Sequence, residues 1–215
     1  MLDGVVRQMA HNPLFKGIFV AMVLVALWVG GSGDRNVRQA GLLATIFISV
    51  VAIGVGRSLA NLLPFSSRPI HTTGLTFNMP IGGKSETLDG WSSMPSDHAV
   101  LFFAIAVSVV FVSRWMGLFL VTHAALIISL PRVFLGLHWP LDILVGALVG
   151  SLIAIVLFRP LQHALLVTQV PTLFERFGIV TYPLLFLSFL QIGTNFESLR
   201  QLASSLGKVI DMAQR

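Results

Sequence analysis

Residues 98–135 read HAVLFFAIAVSVVFVSRWMGLFLVTHAALIISLPRVFL. Two apolar runs, 98–115 and 117–135, are parted only by the break SRWM at 113–116. Each approaches the roughly 20 residues a helix needs to cross a bilayer. A break this short forces the two into antiparallel neighbours. Working outward, the same pattern recurs, and transmembrane helices are expected at 15–31, 40–62, 98–115, 117–135, 141–158 and 177–193. The expected fold class is therefore all-α, a polytopic membrane bundle of six helices with a long loop between the second and third.

Composition agrees. Of 215 residues, 55% are hydrophobic and only 11% charged, against about 25% charged in soluble domains. The mean hydropathy of +0.85 is spread along the chain, which reads as one membrane-embedded domain over 1–215. Residues 1–14 (MLDGVVRQMAHNPL) lack the features of a secretory signal and read as a short interfacial helix. Neither end carries a lipidation signal. Residues 32–39 (SGDRNVRQ) read as a short link. In 194–215, Phe196, Leu199, Leu202, Leu206, Val209 and Ile210 recur at helical spacing around Glu197, Arg200 and Lys208, the pattern of an amphipathic tail. No cysteine is present, which excludes disulfides, a thiolate nucleophile and cysteine metal sites. The net charge of +5 is dispersed and forms no nucleic-acid stripe. The expected partners are the bilayer and a membrane lipid. Oligomeric state is not legible.

Three segments carry polar groups that a bilayer protein otherwise avoids: Arg57 to Pro69 (RSLANLLPFSSRP), Pro95 to His98 (PSDH) and Arg132 to Asp142 (RVFLGLHWPLD). One out-and-back helix pair separates the second from the third, so all three are expected on one membrane face. The loop 64–97 that joins the first two has the length of a lid or binding loop, with a disordered surface loop as the alternative, and Phe77, Met79 and Trp91 suit a membrane interface.

In the third segment, Pro140 suits the first turn of a helix and biases Trp139 away from helical geometry. His138 then precedes the helix and Asp142 lies in its first turn. A carboxylate there can reach back, accept from one imidazole nitrogen and leave the other as a nucleophile. Taken alone, the pair fits an ordinary helix cap beside an unrelated histidine equally well. Arg132 adds a fixed cation, which suits an anion bound between them. In the second segment, Ser96 is expected near the N-cap of a helix whose first-turn N–H groups suit phosphate, with His98 placed as a general acid. In the first, Arg57 lies about 26 Å along a helix starting near residue 40. It either snorkels to the interface or serves the site. Arg68 is expected at the mouth.

These stretches, in this order, resemble the signature of the type 2 phosphatidic acid phosphatase superfamily: a Lys, six residues and Arg-Pro; Pro-Ser-Gly-His; then Ser-Arg, five residues, His, three residues and Asp. The resemblance spans about 57 to 142. It implies a phosphatase that needs no metal or cofactor and works through a phosphohistidine, with His138 attacking phosphorus, Asp142 orienting it and His98 protonating the leaving group. Arg68, Arg132, Ser96 and the backbone at Asp97 would hold the phosphate. Three positions depart. The Lys position is Asn61, and Arg57, one helical turn away on the same face, is its expected substitute. Pro131 stands in place of Ser, and Asp97 in place of Gly. An Asp at that place looks like the undecaprenyl-pyrophosphate phosphatase branch.

The expected function is thus dephosphorylation of a membrane lipid phosphate or diphosphate, chiefly a polyprenyl (undecaprenyl) diphosphate. Transfer of phosphate to another lipid would use the same intermediate. A non-enzymatic lipid or ion translocator would instead need charges at several depths. Arg35, Arg38, Arg114, Arg159 and Arg176 fall on the face opposite the motifs, which makes that face cytoplasmic and the site periplasmic or external in a bacterial inner membrane. Lys84, Arg200 and Lys208 run against that bias. His123 lies mid-helix and reads as a neutral histidine bonded to a neighbouring helix. His11, His71 and His163 have no metal-ligand spacing.

Overall fold

A computed structural model describes residues 2–31, 33–72, 90–194, 196 and 205. Regular structure among them is helical throughout. The elements are α1 (Leu2–His11), α2 (Leu14–Val29, opening on a π-helical turn), α3 (Arg35–Leu62), α4 (Asp97–Val112), α5 (Arg114–Phe134, with a π-helical turn at Ala124–Ser129), α6 (Pro140–Val167), α7 (Val170–Arg176) and α8 (Gly178–Gly193). A 3₁₀ turn covers Pro69–His71.

An apolar helix stands at each of the six expected stretches, with shifted ends. Among the described residues, only α3, α5 and α6 are long and apolar enough to span a bilayer by themselves, and α7 with α8 forms a further candidate bent by 113°. α2 and α4 reach about 24 Å at ~1.5 Å per residue, short of a hydrocarbon core of about 30 Å. α3 begins at Arg35 rather than 40, because Asp34 caps it: Oδ1 accepts from the Val37 N–H at 3.0 Å. The link expected at 32–39 is correspondingly shorter. α6 runs past the expected end at 158, through Pro160, to Val167. A proline costs one backbone hydrogen bond, which a membrane helix tolerates when its neighbours restore contacts. Here Gln162 Nε2 donates to the Val37 carbonyl oxygen at 3.0 Å, tying α6 to the start of α3.

The bundle is built around α4, which is apolar on all sides and buried around most of its circumference, with Phe103, Val107 and Phe111 half-buried along one stripe. One side, through Leu101, Phe102, Ile105 and Val109, packs into a core with Leu24 and Trp28 of α2, Leu120 and Ile128 of α5, and Phe189 and Ile192 of α8. The other, through Val100 and Ala104, meets Ala44, Ile48 and Ala52 of α3 and Ala154 and Phe158 of α6. Large apolar side chains cover the outside: Phe47, Leu118, Phe119, Leu144, Leu148, Leu152 and Phe186 are all exposed. Patches of that extent suit lipid, not water.

α6 buries Asp142, Gly146, Gly150, Ala154, Phe158 and Gln162, a ridge of every fourth residue. Its small members allow α4 to approach as far as backbone contact. A Cβ on Gly146 would stand 2.9 Å from the Ser96 carbonyl oxygen, and one on Gly150 would overlap the Val100 carbonyl oxygen. This approach brings the starts of α4 and α6 together.

The N-terminal helix α1 rests Ala10, with Val6, against Leu135 and Leu137 in the turn before α6. All but Thr194, Phe196 and Ser205 of the expected tail at 194–215, and Phe77 and Met79 of the long loop, lie outside the described residues.

Candidate active site

The turn from Arg132 to Trp139 is shaped by its own backbone. The Arg132 carbonyl oxygen accepts from the N–H groups of Leu137 at 2.9 Å and His138 at 3.3 Å. Gly136 carries φ +67°, which glycine adopts at no steric cost. Pro140 then starts α6, and Trp139 is extended at φ −73°, ψ 153°, as the proline demands. Asp142 reaches back: its Oδ2 accepts from the Trp139 N–H at 2.8 Å.

Both of the other segments close on this turn. From the first, Arg68 Nη1 donates to the Leu137 carbonyl oxygen at 2.6 Å, the Ile70 N–H donates to that of Gly136 at 3.0 Å, and Trp139 Nε1 donates to that of Ser67 at 2.9 Å. From the second, the Ser96 N–H donates to the Asp142 carbonyl oxygen at 3.2 Å. The first is joined to the stretch just ahead of the second by the Ser93 N–H donating to the Ser66 carbonyl oxygen at 2.9 Å and by the Ser93 and Ser66 hydroxyls at 2.9 Å. The three segments thus form one hydrogen-bonded surface.

His138 is buried at its centre. Its Nδ1 is 2.8 Å from the Ser93 carbonyl oxygen, which can only accept, so Nδ1 carries the hydrogen and Nε2 the lone pair. Asp142 Oδ2 stands 3.6 Å from the same Nδ1. The expected carboxylate thus stands beside the ring, and the structure adds a nearer acceptor, the Ser93 carbonyl, while the carboxylate's shortest bond goes to the Trp139 N–H. Nε2 faces Arg68 Nη1 at 3.3 Å. Burial, outweighing the Asp142 carboxylate, holds the His138 pKa below its ordinary value, and the cations of Arg68 and Arg132 push the same way. Burial likewise lowers the pKa of Arg68.

Around the ring, Arg68, Arg132 and Ser96 are buried. Ser96 is the N-cap residue of α4, but its hydroxyl makes no cap bond. Ser96 Oγ and Arg68 Nε are buried with no acceptor among the described residues. His98 is half-buried in the first turn of α4, its ring tilted against Phe102. Arg57, from the end of α3, reaches this face: Nη1 is 3.0 Å from Asp97 Oδ2, and the guanidinium lies 4.2 Å from the centroid of the Trp91 ring. Asp97 is thereby paired. His123 is remote from this face and stacks on Phe19 at 4.8 Å. Among the described residues, no cluster of three or more His, Asp or Glu has the geometry of a metal site.

Ser93, Ser66, Ser67 and Leu137 contribute mostly through backbone atoms, which no side-chain pattern announces. Gly136 was the one visible signal, a lone glycine in an otherwise bulky turn.

Asp142→Asn is expected to lower kcat about tenfold or more, since it removes charge beside the ring. The neutral imidazole is lost on acidification. Because its pKa is depressed, the acid limb of kcat/KM should lie below the usual histidine value of about 6.5. Asp142 raises that pKa, so in Asp142→Asn the limb should move further down; a pH-rate profile showing an upward move would refute this assignment of influences.

Comparison with known proteins gives the family. The model of the PAP2 superfamily matches residues 40–164. Relatives include the bacitracin transport permease protein BcrC of Bacillus licheniformis, 27% identical over 82% of this chain and 80% of its own. YbjG of Escherichia coli strain K12 is 30% identical over 68% and 70%. The undecaprenyl-diphosphatase BcrC of Bacillus subtilis strain 168 is 28% identical over 69% and 76%. No solved structure gives a significant match. With its family matched over more than half its length, and with the three signature segments joined on one face of an apolar helical bundle, the chain belongs to the PAP2 superfamily and is an integral-membrane phosphatase.

Proposed function

We propose that this protein hydrolyses a polyprenyl diphosphate, of the undecaprenyl type, to the monophosphate and inorganic phosphate, without a metal and through a phosphohistidine. The observation that carries this reading is the state of His138: Nδ1–H is committed to the Ser93 carbonyl oxygen, and Nε2 bears the lone pair against a buried arginine. A terminal phosphate held by Arg68 would meet Nε2. The N–P bond forms as the bond from phosphorus to the bridging oxygen breaks, and His98 supplies the proton that oxygen takes up. Water next attacks the phosphohistidine, returns the proton to His98 and restores neutral His138. Arg68, Arg132, Ser96 Oγ and the N–H groups at the start of α4, including that of Asp97, are the donors to the three non-bridging oxygens, where charge gathers in the transition state. Asp142 stabilises the ring as it gains positive character.

A bacterial inner-membrane location with the site facing the periplasm or exterior fits the charges. Arg35 is ion-paired with Glu175 at 2.8 Å, and Arg38 donates to the Leu27 carbonyl oxygen at 2.8 Å, both at the end of the bundle opposite His138. Arginine there favours the cytoplasmic side.

The test is phosphate release by purified protein across lipid monophosphates and diphosphates of matched chain length, with and without chelator. Highest kcat/KM on a polyprenyl diphosphate, undiminished by chelator, is the expected result. Preference for a phosphatidyl substrate would refute the substrate assignment, and loss with chelator the metal-independence.

A further inference from the structure

Asn61 and Asp97 are two departures from the family pattern, and Arg57 stands between them, ion-paired with Asp97 and lining one cleft with Asn61. The cation the pattern puts at 61 is missing; Arg57, a turn earlier on α3, is drawn to Asp97, where the pattern has no side chain at all. Arg57 and Asn61 together line a cleft of about 360 Å³ whose other walls include Leu63, Phe65, Trp91 and Ser92. Its polar groups are thus one arginine, one amide and Ser92. Its apolar end, Leu63, Phe65 and Trp91, is exposed where α3 leaves the bundle. The wall shared with His138 is short: the Ser92 carbonyl oxygen accepts from Arg68 Nη2 at 3.2 Å, and the next carbonyl, of Ser93, accepts from the His138 ring.

We propose that this cleft receives the second, lipid-linked phosphate of a diphosphate, and that Arg57 is the residue that makes the site favour diphosphates over monophosphates. The inference rests on the phosphatase reading above. The ion pair with Asp97 cancels the charge of Arg57 over distance, so a lone phosphate beside His138 gains little from it. A phosphate in direct contact does gain, because a guanidinium presents its donors in a planar fork that matches phosphate oxygens. Stacking on Trp91 fixes the plane of that fork. In the reaction the lipid-linked phosphate is the leaving group, and Arg57 would take up the charge that grows on it. The first units of the prenyl chain would then lie along Leu63, Phe65 and Trp91 toward the bilayer.

The experiment is calorimetric titration of detergent-purified protein with a prenyl methylenebisphosphonate and a prenyl phosphonate of the same chain. Wild type is expected to bind the bisphosphonate about tenfold or more tightly over the phosphonate, and Arg57→Gln to reduce that ratio to about two or less, with Arg57→Lys between them. Equal weakening of both ligands in Arg57→Gln, or no preference in wild type, would overturn the proposal. Should Arg57→Gln fail to fold, Arg57→Lys decides it: an unchanged ratio counts against. Binding of these analogues needs no turnover, so failure here is distinct from failure of the phosphohistidine mechanism, which His138→Ala reads separately.

Discussion

His138→Ala is expected to lower the rate of phosphate release from a polyprenyl diphosphate by about 10³-fold or more, equivalent to about 4 kcal/mol of barrier. In the proposed mechanism the side chain supplies the nucleophile, and water cannot replace it, because Nε2 is held against Arg68 by the Ser93 carbonyl while a water would have to be ordered afresh. Arginines 68 and 132 and the hydroxyl of Ser96 remain, so some residual catalysis is expected. Quenched reactions with substrate labelled in the terminal phosphate should trap an acid-labile, base-stable adduct in wild type and none in the variant. Activity within about tenfold of wild type would end the proposed mechanism.

Gly150→Ala is expected to destabilise the protein by about 3 kcal/mol or more and to impair activity as well. One methyl group would overlap the carbonyl oxygen of Val100, and a backbone atom inside α4 cannot swing aside. Either α6 moves off α4 or α4 bends. Both lengthen the bond from the Ser96 N–H to the Asp142 carbonyl oxygen that joins two halves of the site. Gly54→Ala on α3 is the control, since a Cβ there meets nothing within 4 Å. It should be neutral or stabilising, as alanine favours a helix by about 1 kcal/mol over glycine. Thermal unfolding in detergent measures both, and equal melting temperatures for the two variants would refute the close-approach account.

The ridge that carries Gly150 was present in the sequence as small residues at 146, 150 and 154, yet hydropathy treats glycine and alanine as mild and passes over it. Helix ends were blurred for a related reason. Pro160 resembles a stop, yet α6 continues past it, tied to the start of α3 through Gln162 and Val37 and packed through Leu161 and Leu165. Asp34 caps α3 inside the stretch read as a link, a role that the link reading passed over.

By itself the sequence determined the apolar helices, their alternation, and hence the meeting of three polar segments on one face, because periodicity and helix count are local and additive properties. It also determined the turn at His138, since Pro140 acts on its neighbour through covalent geometry. Only the tertiary structure decided that the ring's partner is the Ser93 carbonyl, that Arg57 answers Asp97, and that α4 lies deep in the bundle. Each of those depends on a contact between residues distant in sequence, and two of the three involve backbone atoms or close packing, which every sequence possesses and none advertises.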